Sequence, residues 1–153
     1  QVALLQSDCT IEMIADGLHV HPAMIKFLLE AVGEDRMILI SDSMRAADLA
    51  DGIYDLGGQQ VRVENGVCTL VGKENLAGST LNLNRARQNM KKWLHLSDIA
   101  LAKLTATNSA KRLGLDKRKG SVAIGKDADF FVVDEKDEVL ITVSEGIIIN
   151  QNK

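Results

Sequence analysis

Cysteine is scarce in this chain. There are two among 153 residues, Cys9 and Cys68, and their separation matches neither a metal knuckle nor a redox pair. No secretory leader precedes them, so a reduced cytoplasm is the expected setting. An excess of basic charge is also missing: the formal net charge of -3 leaves no electrostatic footprint for nucleic acid. No stretch approaches the roughly 18 apolar residues of a membrane-spanning helix, and neither nucleic acid nor membrane is expected as a partner. Internal repeats, low-complexity tracts and disordered linkers are absent as well. What remains is globular composition, 46% hydrophobic with 25% charged, in a length that suits one ordinary domain with a sizeable core. The chain opens on Gln1 rather than methionine, as an excised, cleaved or processed product would.

The first forty-odd residues predict strand, helix, strand. Residues 11–15 are a short apolar run. Pro22 suits the first turn of a helix, Ile25, Leu28, Leu29 and Val32 repeat at helical spacing, and Gly33 supplies a stop. Residues 37–40 form the next buried strand. Two continuous apolar runs bracketing an amphipathic helix are what a parallel βαβ unit requires, because its strands are covered on both faces. From 45 to 78, glycines punctuate short segments, and Asn65-Gly66 between β-rich flanks predicts a hairpin. Ser79 is the expected N-cap of the longest helix, which presents Leu83, Ala86, Met90 and Leu94 on one face. Ser97 and Thr107 are expected to cap two more helices, the second stopped by Gly114. After Gly120 the pattern turns to short antiparallel strands over 121–124, 130–134, 139–143 and 147–149. The turn at 117–120 is the expected boundary between two modules.

Candidate chemistry gathers at the ends of the two early strands. His19 and His21 stand two apart, so on a strand they would share a face and could bind a metal. Against that, the only other histidine is His95, and no carboxylate or cysteine cluster completes a first shell; both rings could equally make hydrogen bonds at a strand end. Asp42 closes an otherwise apolar strand. An unpaired buried charge is costly, so this carboxylate is solvated or paired, or it serves as a cap or turn acid for the segment that follows. Leu76-Ala77-Gly78-Ser79 precedes a helix, and its N–H groups are available to a polar or anionic ligand unless Ser79 is an ordinary cap. Arg45 could counter a phosphate, pair with Asp42, or stand solvated.

Three segments together, Asp16-Gly17-Leu18-His19-Val20-His21-Pro22, Ser41-Asp42-Ser43-Met44 and Asn75-Leu76-Ala77-Gly78-Ser79, resemble the N-acetylglucosamine-6-phosphate deacetylases of the amidohydrolase superfamily. Residues 120–134 are similar to the C-terminal module of many amidohydrolases, a small β-sandwich completed by strands from the extreme N-terminus. The resemblance implies an α/β protein, the C-terminal part of a TIM (β/α)8 barrel plus strands of that small β-sandwich domain. Residues 1–116 would be barrel with an inserted hairpin and outer helices, and 117–153 part of the sandwich. It further implies that Asp42 is the general base that activates a metal-bound water and then the acid that protonates the departing amine. His19 would contact substrate and polarise the acetyl carbonyl, while Leu76, Ala77, Gly78 and Ser79 line the sugar site. His21 has no implied role.

The resemblance also implies what this chain does not hold. A divalent metal ion of the zinc or iron type would be bound by a glutamate and two histidines from earlier barrel strands, and the phosphate-binding basic residue would likewise lie upstream. A full barrel needs around 250 residues, so this chain would supply about two of its eight strands. The implied partners are N-acetylglucosamine 6-phosphate, the N-terminal half of the enzyme, and further copies in a homo-oligomer. Asn108-Ser109-Ala110 departs from the usual Asn-Pro-Ala, losing a helix-start proline but no chemical group. Two other readings stand beside this one: a different amidohydrolase fragment of cyclic-amidase type, and a non-catalytic domain that binds a sugar phosphate or a protein.

Overall fold

The computed structural model describes residues 2–151. After a single helical turn, α1 (Val2–Leu5), the strands β1 (Ile11–Ile14) and β2 (Met37–Ile40) pair in parallel, Ile11 opposite Met37 and Ile14 opposite Ile40. Between them runs α2 (Pro22–Val32). Pro22 occupies the helix start, where its missing N–H has no partner to lose. Gly33, at φ 78, ends the helix as expected. Ile25, Leu29 and Val32 form its buried stripe and meet Met13, Met37 and Leu39 in the larger of two cores. Burying each such side chain contributes about 1.5–3 kcal/mol, so packing rather than intrinsic propensity holds this short helix.

A third segment joins that sheet through a single parallel bridge between Ser43 and Ser79. The Ser79 N–H donates to the Asp42 carbonyl at 3.2 Å, and the Met44 N–H to the Ser79 carbonyl at 2.9 Å. The intervening chain forms an antiparallel sheet of β3 (Gly52–Leu56), β4 (Gln59–Glu64) and β5 (Val67–Leu70). Asn65 and Gly66 make the expected hairpin turn, both with positive φ. The inner face carries the second core: Met44, Ala46, Val61, Val63, Cys68 and Ala77.

Ser79 is not the helix cap. Its backbone is committed to the bridge and its Oγ accepts from the Leu81 N–H at 2.8 Å. Helix α3 (Leu83–Leu94) therefore starts later, capped by Asn82, which accepts from the Arg85 N–H at 2.9 Å. Ser97 caps α4 (Asp98–Ala102) as expected, accepting from the Ala100 N–H. Thr107 caps nothing: the helix continues from α4 through a π turn (Lys103–Thr107) into α5 (Asn108–Arg112), and the Thr107 hydroxyl donates to the Gly120 carbonyl at 2.7 Å.

The last sheet is a meander of β6 (Phe130–Val133), β7 (Val139–Ser144) and β8 (Ile147–Gln151). Residues 121–124, expected as a strand, form none; Val122 and Ile124 stand exposed and no described strand pairs with them. The meander is latched to α3, whose Arg87 and Lys91 each reach the Asp137 carboxylate at 3.0 Å. The class is thus α/β, with one two-stranded parallel sheet and two three-stranded antiparallel sheets among the described residues. These residues by themselves close neither a barrel nor a two-sheet sandwich. No described helix is long and apolar enough to cross a membrane.

Candidate functional site

The two loops that follow β1 and β2 emerge at the same end of a parallel pair. Each carries one of the candidate groups. His19 lies not on a strand but in the bend after β1, so the shared strand face expected for His19 and His21 does not exist. The two rings turn to different partners. His21 is the N-cap of α2, its Nδ1 accepting from the Ala23 N–H at 3.2 Å. His19 Nδ1 meets Asp16 Oδ2 at 2.6 Å. Among the described residues no group of three histidines, cysteines or carboxylates could hold a metal.

Asp16 escaped the sequence reading as a site residue. Its Oδ1 accepts from the N–H groups of Leu18 and His19, at 2.9 and 3.0 Å, in an Asx-type turn made possible by Gly17 at φ 79. The hydrogen bonds to His19 and Leu18, with the charge of the ring, outweigh desolvation and hold the Asp16 carboxyl below its ordinary pKa. An ionised acceptor on Nδ1 leaves Nε2 as the ring atom for a ligand. The signal that could have found it was the Asp-Gly pair three residues before the histidine.

Asp42 sits just past β2 at φ 47, a left-handed conformation that aspartate tolerates at about 1 kcal/mol. Its side chain is exposed, and no described residue bonds the carboxylate. It is therefore solvated, one of the alternatives the sequence left open, rather than paired or a helix cap. Its carbonyl is what anchors Ser79. The structure thereby sets Ala77, Gly78 and Ser79 beside the loop of Asp42, whereas no hydrogen bond joins Asp42 to His19.

Within Leu76–Ser79 the expected row of free N–H groups is only half present. The Ala77 N–H donates to the Cys68 carbonyl at 3.0 Å and the Ser79 N–H to Asp42, which leaves those of Leu76 and Gly78. Ala77 and Ser79 are buried; Leu76 is exposed. Gly78 is required by its φ of 73, and it packs against Met44, whose Cβ would lie 3.4 Å from an added Cβ. Arg45 does not pair with Asp42; its guanidinium lies 4.0 Å from the Asp55 carboxylate at the surface, a contact of small energetic weight.

A carboxylate free to exchange protons and an oriented imidazole, on neighbouring parallel-strand loops, form a site suited to acid–base chemistry on a polar substrate. The chain belongs to the amidohydrolase family, whose model matches residues 4–149. It is 43% identical to N-acetylglucosamine-6-phosphate deacetylase of Bacillus subtilis across 95% of this chain and 37% of that protein. It is 36% identical to a putative N-acetylgalactosamine-6-phosphate deacetylase of Escherichia coli strain K12, across 81% of this chain and 73% of that protein. Among solved structures, N-acetylglucosamine-6-phosphate deacetylase of Thermotoga maritima matches with a TM-score of 0.92 at 36% identity, over 99% of this chain and 41% of that one. A mutant of the Mycobacterium smegmatis enzyme in complex with N-acetyl-D-glucosamine 6-phosphate matches with a TM-score of 0.89 at 32% identity, over 95% and 39%. The chain thus spans about two fifths or less of the Bacillus subtilis, Thermotoga maritima and Mycobacterium smegmatis deacetylases. Amidohydrolases typically depend on a metal.

Proposed function

We propose that this chain is the C-terminal portion of an N-acetylglucosamine-6-phosphate deacetylase, which hydrolyses the acetamide to glucosamine 6-phosphate and acetate. In this reading residues 1–116 are the late part of a (β/α)8 barrel and 117–153 part of a small β-sandwich, with the remainder of both supplied by an N-terminal portion. The setting is the cytoplasm and the assembly a homo-oligomer. The observation that carries the reading is the exposed, unbonded Asp42 carboxylate beside the Ala77–Ser79 wall, at the same strand ends as the Asp16-oriented His19.

The chemistry follows from what these groups can hold and move. Ionised Asp42 accepts a proton from the attacking water as its oxygen bonds to the acetyl carbon. His19, fixed at Nδ1, offers Nε2–H to the acetyl oxygen, where negative charge develops. Asp42 then delivers its proton to the amine as the C–N bond breaks, so one carboxylate serves both steps. A divalent metal of the zinc or iron type belongs with ligands outside this chain. The described residues do not build a site for it.

A second reading has its own support, because the Escherichia coli relatives act in their names on the galacto epimer. Acetate release by the full-length protein carrying this chain, measured on both sugar phosphates, separates the two. The expected result is a kcat/KM at least tenfold higher for N-acetylglucosamine 6-phosphate. The reverse order would assign the galacto series. Turnover of neither would overturn the deacetylase reading in favour of another amidohydrolase or a binding domain.

A further inference from the structure

Helix α3 lies outside the two loops that carry the candidate groups, yet one of its faces reaches the turn that orients His19. The Asn89 side-chain amide donates to the Ala15 carbonyl at 2.8 Å, joining residues far apart in sequence immediately before Asp16. One helical turn on, the Trp93 ring covers Gly17: a Cβ built there would stand 3.2 Å from both Cη2 and Cζ2 of the indole. Residues i and i+4 share a helix face. Asn89 and Trp93 thus grip the two peptide units on either side of Asp16, and β1 has already ended at Ile14. Ladder hydrogen bonds no longer fix the backbone there. Ala86 and Met90, fully buried in the main core, anchor α3 itself.

We propose that Asn89 and Trp93 are positioning residues, which hold the Asp16–Gly17 turn so that His19 is presented to the substrate in one orientation. This rests on the deacetylase reading above for what His19 does. The physical case is independent of it. Without the Asn89 bond the Ala15 carbonyl is a buried acceptor with no described partner, and the turn gains freedom to rotate. Since Asp16 bonds both the ring and the backbone of His19, any rotation at Asp16 moves the imidazole. A displacement of about 1 Å at a reacting group can lower a rate by about 100-fold.

The test uses the full-length protein and N-acetylglucosamine 6-phosphate. Asn89→Ala and Trp93→Ala are each expected to lower kcat by about 10- to 100-fold with KM changed less than about threefold. Trp93→Phe, which keeps a ring over Gly17, should recover most of the loss, and the exposed Lys92→Ala on the same helix should behave as wild type. Discrimination comes from the His19→Asn background. There Asn89→Ala should cost little further, because the group that it positions is already gone. An equal loss in both backgrounds would overturn the proposal, as would full activity of Asn89→Ala.

Amide exchange supplies an arm that does not depend on activity. In Asn89→Ala the N–H groups of Leu18 and His19, held by Asp16, should lose protection while the α3 amides keep theirs. Unchanged protection at Leu18 and His19 would overturn the proposal even if activity fell. If the wild-type protein turns over neither sugar phosphate, the deacetylase reading fails and this exchange result alone decides the positioning role.

Discussion

Asp16 and His19 form a closed pair in which each atom of the carboxylate has a fixed task. Oδ1 receives two backbone N–H groups and Oδ2 meets the ring at Nδ1. With Nδ1 donating to Asp16, Nε2 can donate to an acetyl oxygen only while the ring carries both protons. Asp16→Asn reverses this. Two backbone N–H groups demand an oxygen at the Oδ1 position, so the new NH2 faces Nδ1, makes it the acceptor, and leaves the proton on Nε2 of a neutral ring. The expected outcome in the full-length protein is a lower kcat with substrate affinity changed much less, read from steady-state kinetics with a binding titration. Wild-type kcat in Asp16→Asn would remove this account of the pair.

Asp42 is the proton carrier in the proposed reaction. Asp42→Asn preserves shape and can neither accept the water proton nor return it to the amine. In the full-length protein kcat should drop by roughly 10²- to 10⁴-fold while substrate affinity changes much less. Single-turnover rates with a binding titration separate the two quantities. Near wild-type turnover would assign the role to another group.

Part of this site was legible in the amino-acid order, and the division has a physical basis. The β1–α2–β2 unit and the Asn65-Gly66 hairpin follow from local rules, namely helical apolar spacing, a proline start, a glycine stop and a two-residue turn. Ser79 looked like a helix cap because a hydroxyl before an apolar helix is a cap by local rules. Its actual partner, Ser43, is set by strand order in the sheet, which no local pattern encodes. Thr107 misled in the same way: its hydroxyl donates to the distant Gly120 carbonyl rather than capping a helix N-terminus, and the helix runs on through it. Asp16 was visible within the motif but not its bond to His19, which depends on the turn closing in space.

Asp137 offers a stability test away from the chemistry. Hydrogen bonds from Lys91 and Arg87 hold its carboxyl below the ordinary aspartate pKa. A depressed folded-state pKa means that the latch stabilises the fold above the unfolded value and is lost as pH falls through the folded one. The bond from Lys91 is the larger contribution, and the buried Arg87 adds to it. Asp137→Asn should lower stability near pH 7 by about 2 kcal/mol and flatten the decline in urea midpoint as pH falls below the ordinary aspartate range. Equal slopes for variant and wild type would show that Asp137 does not govern the acid limb.

The isolated 153-residue chain is expected to associate and to lack deacetylase activity. The outer edges of β1, β6 and β8 have no described strand partner; Ile147, Ile148 and Ile149 lie 57–67% exposed on edge strand β8, and Phe131 is exposed on the opposite edge strand, β6. Edges of this kind recruit other chains, and contiguous apolar surface is seldom tolerated in a monomer. Activity should be missing because no described group of side chains could hold the metal that the proposed reaction needs. Sedimentation should therefore find dimers or larger species at micromolar concentration, and co-expression with the N-terminal portion should restore both solubility and metal-dependent acetate release. A cooperatively melting monomer would count against the completed-barrel reading. Chelator-sensitive turnover by the 153-residue chain alone would count against it more strongly, because the metal site would then lie within this chain.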